Sequence, residues 1–503
     1  MLNTDIKNFV SRNRLSILSV LGVLGFANVA WVTVSYLIYP GYLDHGESNM
    51  TLMSWRLLGG HPAYLGFDNP NLVSNVYGPL TYASHALSYW FFGPAIISGK
   101  VMSFLAALLI PIVVFFSHRS KGGALAAIGA IFAIALILFQ IPFSIWTRPE
   151  SLMALMGAVA VWAANASRPD RPEWGKSLVI ALAASLAVGM KLHAGLYFAP
   201  VVLFHCVNDN RGLKTFAFMA VVGSIVVLLP FAFSVFPIED FWAWIFHHIK
   251  KESPSSFVFK YIRYGAIYAA PALFFLAAWR WSNKGEKVAR AESVYFWVFM
   301  ACLILALFPA TKVGAGTYYF YPFMAVLVDQ VLRHARRVET RKAAVWSLLG
   351  VYILTLLIIS VPAQKRFFRA LHWQEVAGVQ TEIRSVMAAY KGRTIEMGIG
   401  SNIQNYSHTF YRTLLVLAGH PYTYDPAPAM EMNMWKLPLP DETLSMLRRC
   451  DTDIWLIPKG EDPFMMNGYY GPPAVDKVIP EIFQSSYKKL ETLKFFDVWA
   501  CKQ

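Results

Sequence analysis

The sequence predicts a polytopic α-helical membrane protein with a small α/β domain at its C-terminal end. Of the 503 residues, 56% are hydrophobic and only 15% are charged, whereas a soluble protein carries about 25% charged residues. The apolar residues come in blocks of about 20, the length that a membrane-spanning helix needs. Beyond residue 362 these blocks stop, and the composition becomes that of a soluble domain. These observations exclude an ordinary soluble enzyme.

The apolar blocks predict about 11 transmembrane helices. The first covers residues 16–39, and no small-residue cleavage site follows it, so we expect a retained helix rather than a signal peptide. The others lie at 96–117, 123–146, 151–164, 177–190, 193–207, 215–236, 263–281, 293–309, 317–332 and 343–361.

The distribution of basic residues predicts the orientation in the membrane. Lys7, Arg12 and Arg14 precede the first span and place the N-terminus in the cytoplasm. The other basic connections fall on the same side if residues 79–92 form a short helix at the outer interface instead of a span. The net charge of +14 therefore reflects the basic residues on the cytoplasmic side of the membrane, and we expect no nucleic-acid partner. An odd number of spans puts the C-terminal domain outside, in the periplasm if the chain lies in a cell inner membrane.

The predicted domains are a membrane domain, 1–362, whose first external loop is 40–95, and an external domain, 363–503. The external domain has strand patterns and helical patterns in alternation, which favours an α/β fold. The strands are predicted at 394–400, 453–458 and 495–499, and the helices at 375–391, 441–449 and 476–489.

The first external loop concentrates polar residues directly after the first span. Asp44 and Glu47 stand at its start, a Gly59-Gly60-His61-Pro62 turn follows, and Tyr77-Gly78-Pro79-Leu80-Thr81-Tyr82 closes it. Acids at the end of a membrane helix indicate a functional site. The alternative is that they are solvated loop residues.

This loop resembles the first external loop of the GT-C glycosyltransferases, and it is most similar to the lipid A aminoarabinose transferases and protein O-mannosyltransferases. In these families an acid after the first helix precedes a glycine turn, and a Pro-Leu-x-Tyr element opens the next helix. The resemblance covers roughly residues 1–360. It implies a GT-C fold, a polyprenyl-phosphate sugar donor and a role for Asp44. The families often have adjacent Asp-Glu, whereas this chain reads Asp44-His45-Gly46-Glu47, so Asp44 is the residue that carries over.

Transfer of a sugar from a polyprenyl phosphate needs a carboxylate that accepts a proton from the acceptor hydroxyl. We predict Asp44 as this base, with Glu47 and Glu150 as catalytic helpers. No cofactor is required, although the acids leave a divalent cation open as an alternative. Tyr77 and Tyr82 belong to the matched element and are predicted to bind substrate.

The reaction also needs cations that stabilise the departing phosphate. Arg148 and Lys191 are the first candidates, followed by His193 and Lys312. The alternative for each is a side chain near a helix end that reaches the lipid headgroups. We expect Lys100 to reach the lipid headgroups in this way.

Two further patterns lie in the external segments. The segment 237–262 reads as a charged loop, and its adjacent His247 and His248 favour a loop pair over a metal site. In the C-terminal domain, Cys450 precedes the strand at 453–457 and Cys501 follows the strand at 495–499. If these strands are antiparallel neighbours, the two cysteines can form a disulfide.

The predicted function is therefore a membrane glycosyltransferase of lipopolysaccharide or cell-envelope glycan biosynthesis. Its expected partners are the polyprenyl-phosphate sugar donor, a glycolipid or glycan acceptor and membrane lipid. Three alternatives remain: an undecaprenyl-linked glycan polymerase or ligase, a lipid-linked sugar transporter or flippase, and a non-catalytic membrane scaffold. A transporter should show repeat symmetry or charged, broken helices at the membrane midplane, whereas the acids here stand at helix ends.

Overall fold

A computed structural model gives the fold of the chain. It describes residues 2–73, 77–166, 173–251, 253–282, 289–338, 342–468 and 473–502. The helices up to residue 370 are α1 Leu2–Ile38, α2 His45–Leu58, α3 Pro79–Phe92, α4 Ile96–Arg119, α5 Gly123–Phe139, α6 Pro149–Ala166, α7 Trp174–Met190, α8 Gly195–Asn208, α9 Gly212–Leu228, α10 Ile238–Ile249, α11 Ser255–Ser282, α12 Arg290–Ala310, α13 Met324–Arg337 and α14 Lys342–Ala370.

The remaining elements alternate between helix and strand, as the sequence predicted for the C-terminal part. They are α15 Trp373–Ala389, β1 Ile395–Met397, α16 Arg412–Leu417, α17 Pro426–Met434, α18 Asp441–Arg449, β2 Ile454–Pro458, α19 Val478–Ser486, β3 Tyr487–Thr492 and β4 Phe496–Cys501. Short 3-10 helices lie at Leu192–Ala194, Leu229–Ala232, Thr317–Phe323 and Ile403–Tyr411.

The helices confirm a polytopic membrane protein. In the described part of the chain, six segments are long and apolar enough to cross a membrane: Leu15–Ile38, Ile96–Arg119, Gly212–Ala232, Phe257–Trp281, Arg290–Ala310 and Ala343–Ala389. Shorter apolar helices occupy Gly123–Phe139, Trp174–Met190 and Leu192–Asn208. The span predicted at 123–146 is wrong at its end, because the helix stops at Phe139. Pro142 lacks the amide hydrogen that a continuing helix would need.

The chain forms two compact units, each made of segments that are distant in the sequence. The membrane unit comprises Met1–Leu37, Met102–Leu229 and Lys251–Arg369. The loop unit comprises Ile38–Val101, Pro230–Lys250 and Ala370–Gln503. The first external loop is thus grouped with the C-terminal segment, because buried polar side chains of α2 bond to residues beyond 400.

A buried polar cluster ties four helices of the membrane unit together at one end. Asp329 of α13 accepts hydrogen bonds from Arg333 at 2.7 Å and from Asn165 of α6 at 2.8 Å. Arg333 also reaches Glu292 of α12 at 3.0 Å, and His118 of α4 lies 3.8 Å from Asp329. Because Asp329 is 1% exposed, the contacts of its carboxylate with Arg333, Asn165 and His118 compensate for the hydration that it loses.

The loop unit contains a four-stranded sheet in the order β1-β2-β4-β3. β1 pairs with β2 in parallel, and β4 is antiparallel to both β2 and β3. The strand β3 was missed, since the sequence predicted a helix over 476–489 and the helix ends at Ser486. Five of the six residues of β3 are exposed, so this edge strand lacks the alternating pattern that identifies a half-buried strand.

The strands β2 and β4 are the antiparallel neighbours that the disulfide prediction supposed. Ile454 pairs with Ala500, which brings the start of β2 to the end of β4. Cys450 and Cys501 are paired in the structure, with their Cα atoms 5.8 Å apart, a usual separation for a disulfide.

The prediction of a loop over 237–262 is wrong for most of its length, because α10 covers its first half and α11 begins at Ser255. Phe241 and Trp244 stand three residues apart, are both buried, and give the helix an apolar face. Trp244 Nε1 donates a hydrogen bond to the carbonyl of Leu65 at 2.8 Å. His247 and His248 therefore lie on a helix, where His248 Nε2 is 2.8 Å from Glu431.

Candidate active site

Asp44 is the N-cap residue of α2, in the loop unit. Its backbone is extended, and its Oδ1 accepts a hydrogen bond from the Gly46 amide at 2.7 Å. The side chain is 28% exposed, and its other oxygen lies 3.9 Å from Nδ1 of His45. An acid at a helix N-terminus is stabilised in its charged form by the helix dipole. The geometry thus gives a partly exposed carboxylate held in a fixed place.

Glu47 completes the capping box and holds the chain that carries Asp44. Its Oε2 accepts the backbone amides of Leu43 at 3.0 Å and Asp44 at 3.1 Å. Because Glu47 is fully buried, at 0% exposure, it fits a positioning role better than contact with a substrate. Its charge interacts with the ammonium group of Lys100.

Lys100 is the residue that sequence reasoning assigned wrongly. It was expected to reach the lipid headgroups, yet it is 1% exposed. Its Nζ donates a hydrogen bond to the carbonyl of Tyr39 at 2.6 Å and lies 5.2 Å from the Tyr39 ring centroid. A lysine that interrupts an apolar run, the signal that singled out Lys191, was also present at Lys100.

Tyr77 and Tyr82 lie in the interior of the loop unit. Tyr82 is 0% and Tyr77 7% exposed. The carbonyl of Tyr77 accepts the hydroxyl of Tyr64 at 2.7 Å, and the Tyr64 ring packs edge-on against Tyr82 at 5.9 Å. Their positions suit packing of the first external loop, and substrate contact by either ring stays a prediction.

The membrane unit brings Arg148, Glu150 and Lys191 together. Lys191 follows the C-terminal end of α7 and forms an ion pair with Oε1 of Glu150, in the first turn of α6. Trp146 Nε1 donates to the other oxygen of Glu150 at 3.2 Å. The guanidinium of Arg148 lies 4.0 Å from the Trp146 ring centroid. All three charged residues are at most 9% exposed, so two cations and one carboxylate lie in a buried cluster, named here the cation cluster.

Aromatic rings form one wall of the cation cluster. The ammonium of Lys191 lies 5.1 Å from the Tyr318 centroid and 5.2 Å from the Tyr319 centroid. His193 stacks on Tyr319 at 4.6 Å, and its Nε2 is buried without a hydrogen-bond partner among the described residues. A buried cation over aromatic faces is stabilised by the ring quadrupole. His193 thus lies next to Lys191, and a role of His193 in phosphate binding stays a prediction.

Lys312 has other partners. Its Nζ donates to the carbonyl of Lys251 at 2.7 Å and lies 4.5 Å from the Phe308 ring centroid. These contacts tie the segment before α11 to the end of α12. A role of Lys312 in phosphate binding stays a prediction.

Two further acids of the loop unit, Asp68 and Asp240, lie close to each other. Burial raises the pKa of Asp240, and the charges of Asp68 and Glu239 raise it further. Among the described residues, no group of three or more His, Cys, Asp or Glu side chains could hold a metal ion.

The fold and these side chains define a class: a polytopic membrane protein with a helix-capping acid after its first helix and a buried cation cluster. No protein-family model matches the chain, and no curated protein matches it significantly in sequence. A comparison with solved structures finds the crystal structure of ArnT from Cupriavidus metallidurans bound to undecaprenyl phosphate. It matches with a TM-score of 0.61 at 13% identity, over 95% of this chain and 97% of that chain.

The apo state of the same ArnT matches with a TM-score of 0.60 at 14% identity, again over 95% of this chain and 97% of that chain. At this level of identity the likeness establishes the fold. The GT-C fold that the first external loop implied is therefore confirmed.

Proposed function

We propose that the protein is a membrane glycosyltransferase that moves a sugar from a polyprenyl phosphate to a glycolipid or glycan acceptor. The observation that carries the proposal is the cation cluster, because two buried cations with one carboxylate keep a net positive charge that suits a phosphate. The likeness of fold to ArnT, whose crystal structure holds undecaprenyl phosphate, supports a donor of this class.

In the proposed reaction, an acceptor hydroxyl attacks the anomeric carbon of the donor sugar. The new carbon–oxygen bond forms as the bond to the phosphate oxygen breaks, and polyprenyl phosphate leaves with the bonding electrons. Asp44 takes the hydroxyl proton. Arg148 and Lys191 stabilise the negative charge on the leaving phosphate. Since these cations can supply that charge, we propose no metal requirement, and the rate should be unchanged by a chelator.

Within this mechanism Glu47 and Glu150 position other groups. Glu47 holds the backbone of Asp44 through two amide hydrogen bonds. Glu150 pairs with Lys191 and fixes the ammonium against the Tyr318 and Tyr319 rings. We further propose that the chain lies in a cell inner membrane with its N-terminus in the cytoplasm and its C-terminal domain in the periplasm.

The test is transfer by the purified full-length protein in liposomes. A donor labelled in its sugar is supplied together with acceptor lipids extracted from envelope membranes. We expect label on the acceptor and release of one polyprenyl phosphate for each sugar transferred. A flippase would change the side of the membrane on which the donor lies while leaving the label on it. A polymerase would lengthen a diphosphate-linked glycan, and either result would overturn the proposal.

A further inference from the structure

The helix α2, which follows Asp44, is polar and yet buried. All nine residues from Gly46 to Ser54 are buried, and Glu47, Ser48 and Asn49 are at most 1% exposed. A helix of this kind cannot be held by apolar burial alone, because each buried polar group needs a hydrogen-bond partner. The place of α2 therefore depends on which groups satisfy its side chains.

The partners of α2 come largely from the segment 403–425 of the same unit. Ser48 Oγ donates to the carbonyl of Phe410 at 3.1 Å and lies 3.0 Å from Oγ1 of Thr413. Asn49 Nδ2 donates to the hydroxyl of Tyr422 at 3.0 Å. Two turns further along α2, Arg56 Nη1 donates to the carbonyl of Tyr422 at 3.1 Å. Asn49 and Arg56 are seven residues apart and share a helix face.

Tyr422 is fixed in turn by a buried ion pair. Its hydroxyl accepts from Asn49 and donates to Oδ2 of Asp425 at 2.6 Å. The same oxygen lies 2.8 Å from Nη1 of Arg412, and both charged side chains are at most 4% exposed. Burial alone would lower the pKa of Arg412, but the Asp425 carboxylate raises it above its ordinary value. Asp425 is also the N-cap of α17, where its Oδ1 accepts the Ala427 amide at 2.8 Å.

We infer that Tyr422 is a positioning residue for the proposed reaction. Through Asn49 it fixes α2, and thereby the carboxylate of Asp44 at the N-terminus of that helix. The C-terminal domain then helps to hold the proposed catalytic residue of the first external loop in place. The inference rests on the proposed function of Asp44, because only a reaction at Asp44 makes the placement of α2 visible in the rate.

The matched pair Tyr422→Phe and Tyr424→Phe tests this role. Both rings are buried, at 4% and 8% exposure, and each substitution removes one hydroxyl. The hydroxyl of Tyr422 links Asn49 of α2 to the ion pair, whereas the Tyr424 hydroxyl has no hydrogen-bond partner in the described part of the chain. Small misplacement of a catalytic group costs up to about 100-fold in rate. We expect Tyr422→Phe to lower kcat by about 10–100-fold with an unchanged donor KM, and Tyr424→Phe to change neither.

A second measurement keeps the inference separate from the proposed activity. Hydrogen exchange of the α2 amides should be faster in Tyr422→Phe than in Tyr424→Phe. Asn49→Leu breaks the same link from the α2 side together with the bond from Asn49 to the Val73 carbonyl, so it should speed exchange at least as much. Equal kcat in the two tyrosine variants, or equal exchange, would overturn the positioning role. An inactive wild type, or an active Asp44→Asn variant, would instead overturn the proposed function.

Discussion

Replacement of Asp44 by asparagine separates its two roles, because the structure makes it both a helix cap and the proposed base. Asparagine caps a helix about as well as aspartate, and its amide oxygen can still accept the Gly46 amide that Oδ1 accepts at 2.7 Å. The loss of negative charge at the helix N-terminus costs about 0.3–1 kcal/mol. Stability should therefore change little.

The rate should respond very differently. Removal of a general base lowers the rate by about 100- to 10,000-fold, so Asp44→Asn should lose nearly all transfer while it remains folded in the membrane. Asp44→Ala should be equally inactive and in addition lose the cap, which costs about 1 kcal/mol. Initial rates in the liposome assay and thermal unfolding followed by tryptophan fluorescence measure the two effects.

Asp68→Asn is the control, since it removes the same charge from an exposed position of the same external loop. It should keep the wild-type rate. If Asp44→Asn keeps most of its kcat, the carboxylate serves only as a cap. If Asp68→Asn loses as much as Asp44→Asn, the effect is a general one of charge in this loop, and the assignment of the base fails.

Three further predictions concern other parts of the molecule. Arg148→Ala and Lys191→Ala should each lower kcat/KM by about 10–1000-fold, the cost of a lost charge-stabilising contact, and unchanged steady-state kinetics in both would leave the cation cluster a structural role only. Cys450 and Cys501 should remain unalkylated in a non-reduced digest examined by mass spectrometry, as a disulfide requires, and full alkylation without reductant would refute the bridge and weaken an external location. Asp329→Asn should destabilise the membrane unit by about 1.5–3 kcal/mol, because it removes one charged hydrogen-bond acceptor of Arg333, which keeps Glu292 as its other partner, and an unchanged unfolding temperature would contradict this.

Local patterns in the sequence predicted several of the apolar helices and part of the C-terminal domain. Hydropathy and charge are properties of contiguous residues, so the helices α4 and α12 were predicted nearly to their ends. The helix α18 was predicted with its observed limits, Asp441–Arg449. The edge strand β3 and the helix α10 were missed, because the first is exposed along most of its length and the second lies in a charged segment.

The sequence by itself determined that this is a polytopic membrane protein with a GT-C-like first loop, and it singled out Asp44, Arg148, Glu150 and Lys191. Only the tertiary structure decided how these groups are held. The ion pair of Lys191 with Glu150 joins residues 41 positions apart, and the bond from Asn49 to Tyr422 joins residues 373 positions apart. Such contacts depend on which distant segments pack together. Hydrophobic periodicity reports which face of a segment is buried, but it carries no information about the partner that satisfies a buried polar group.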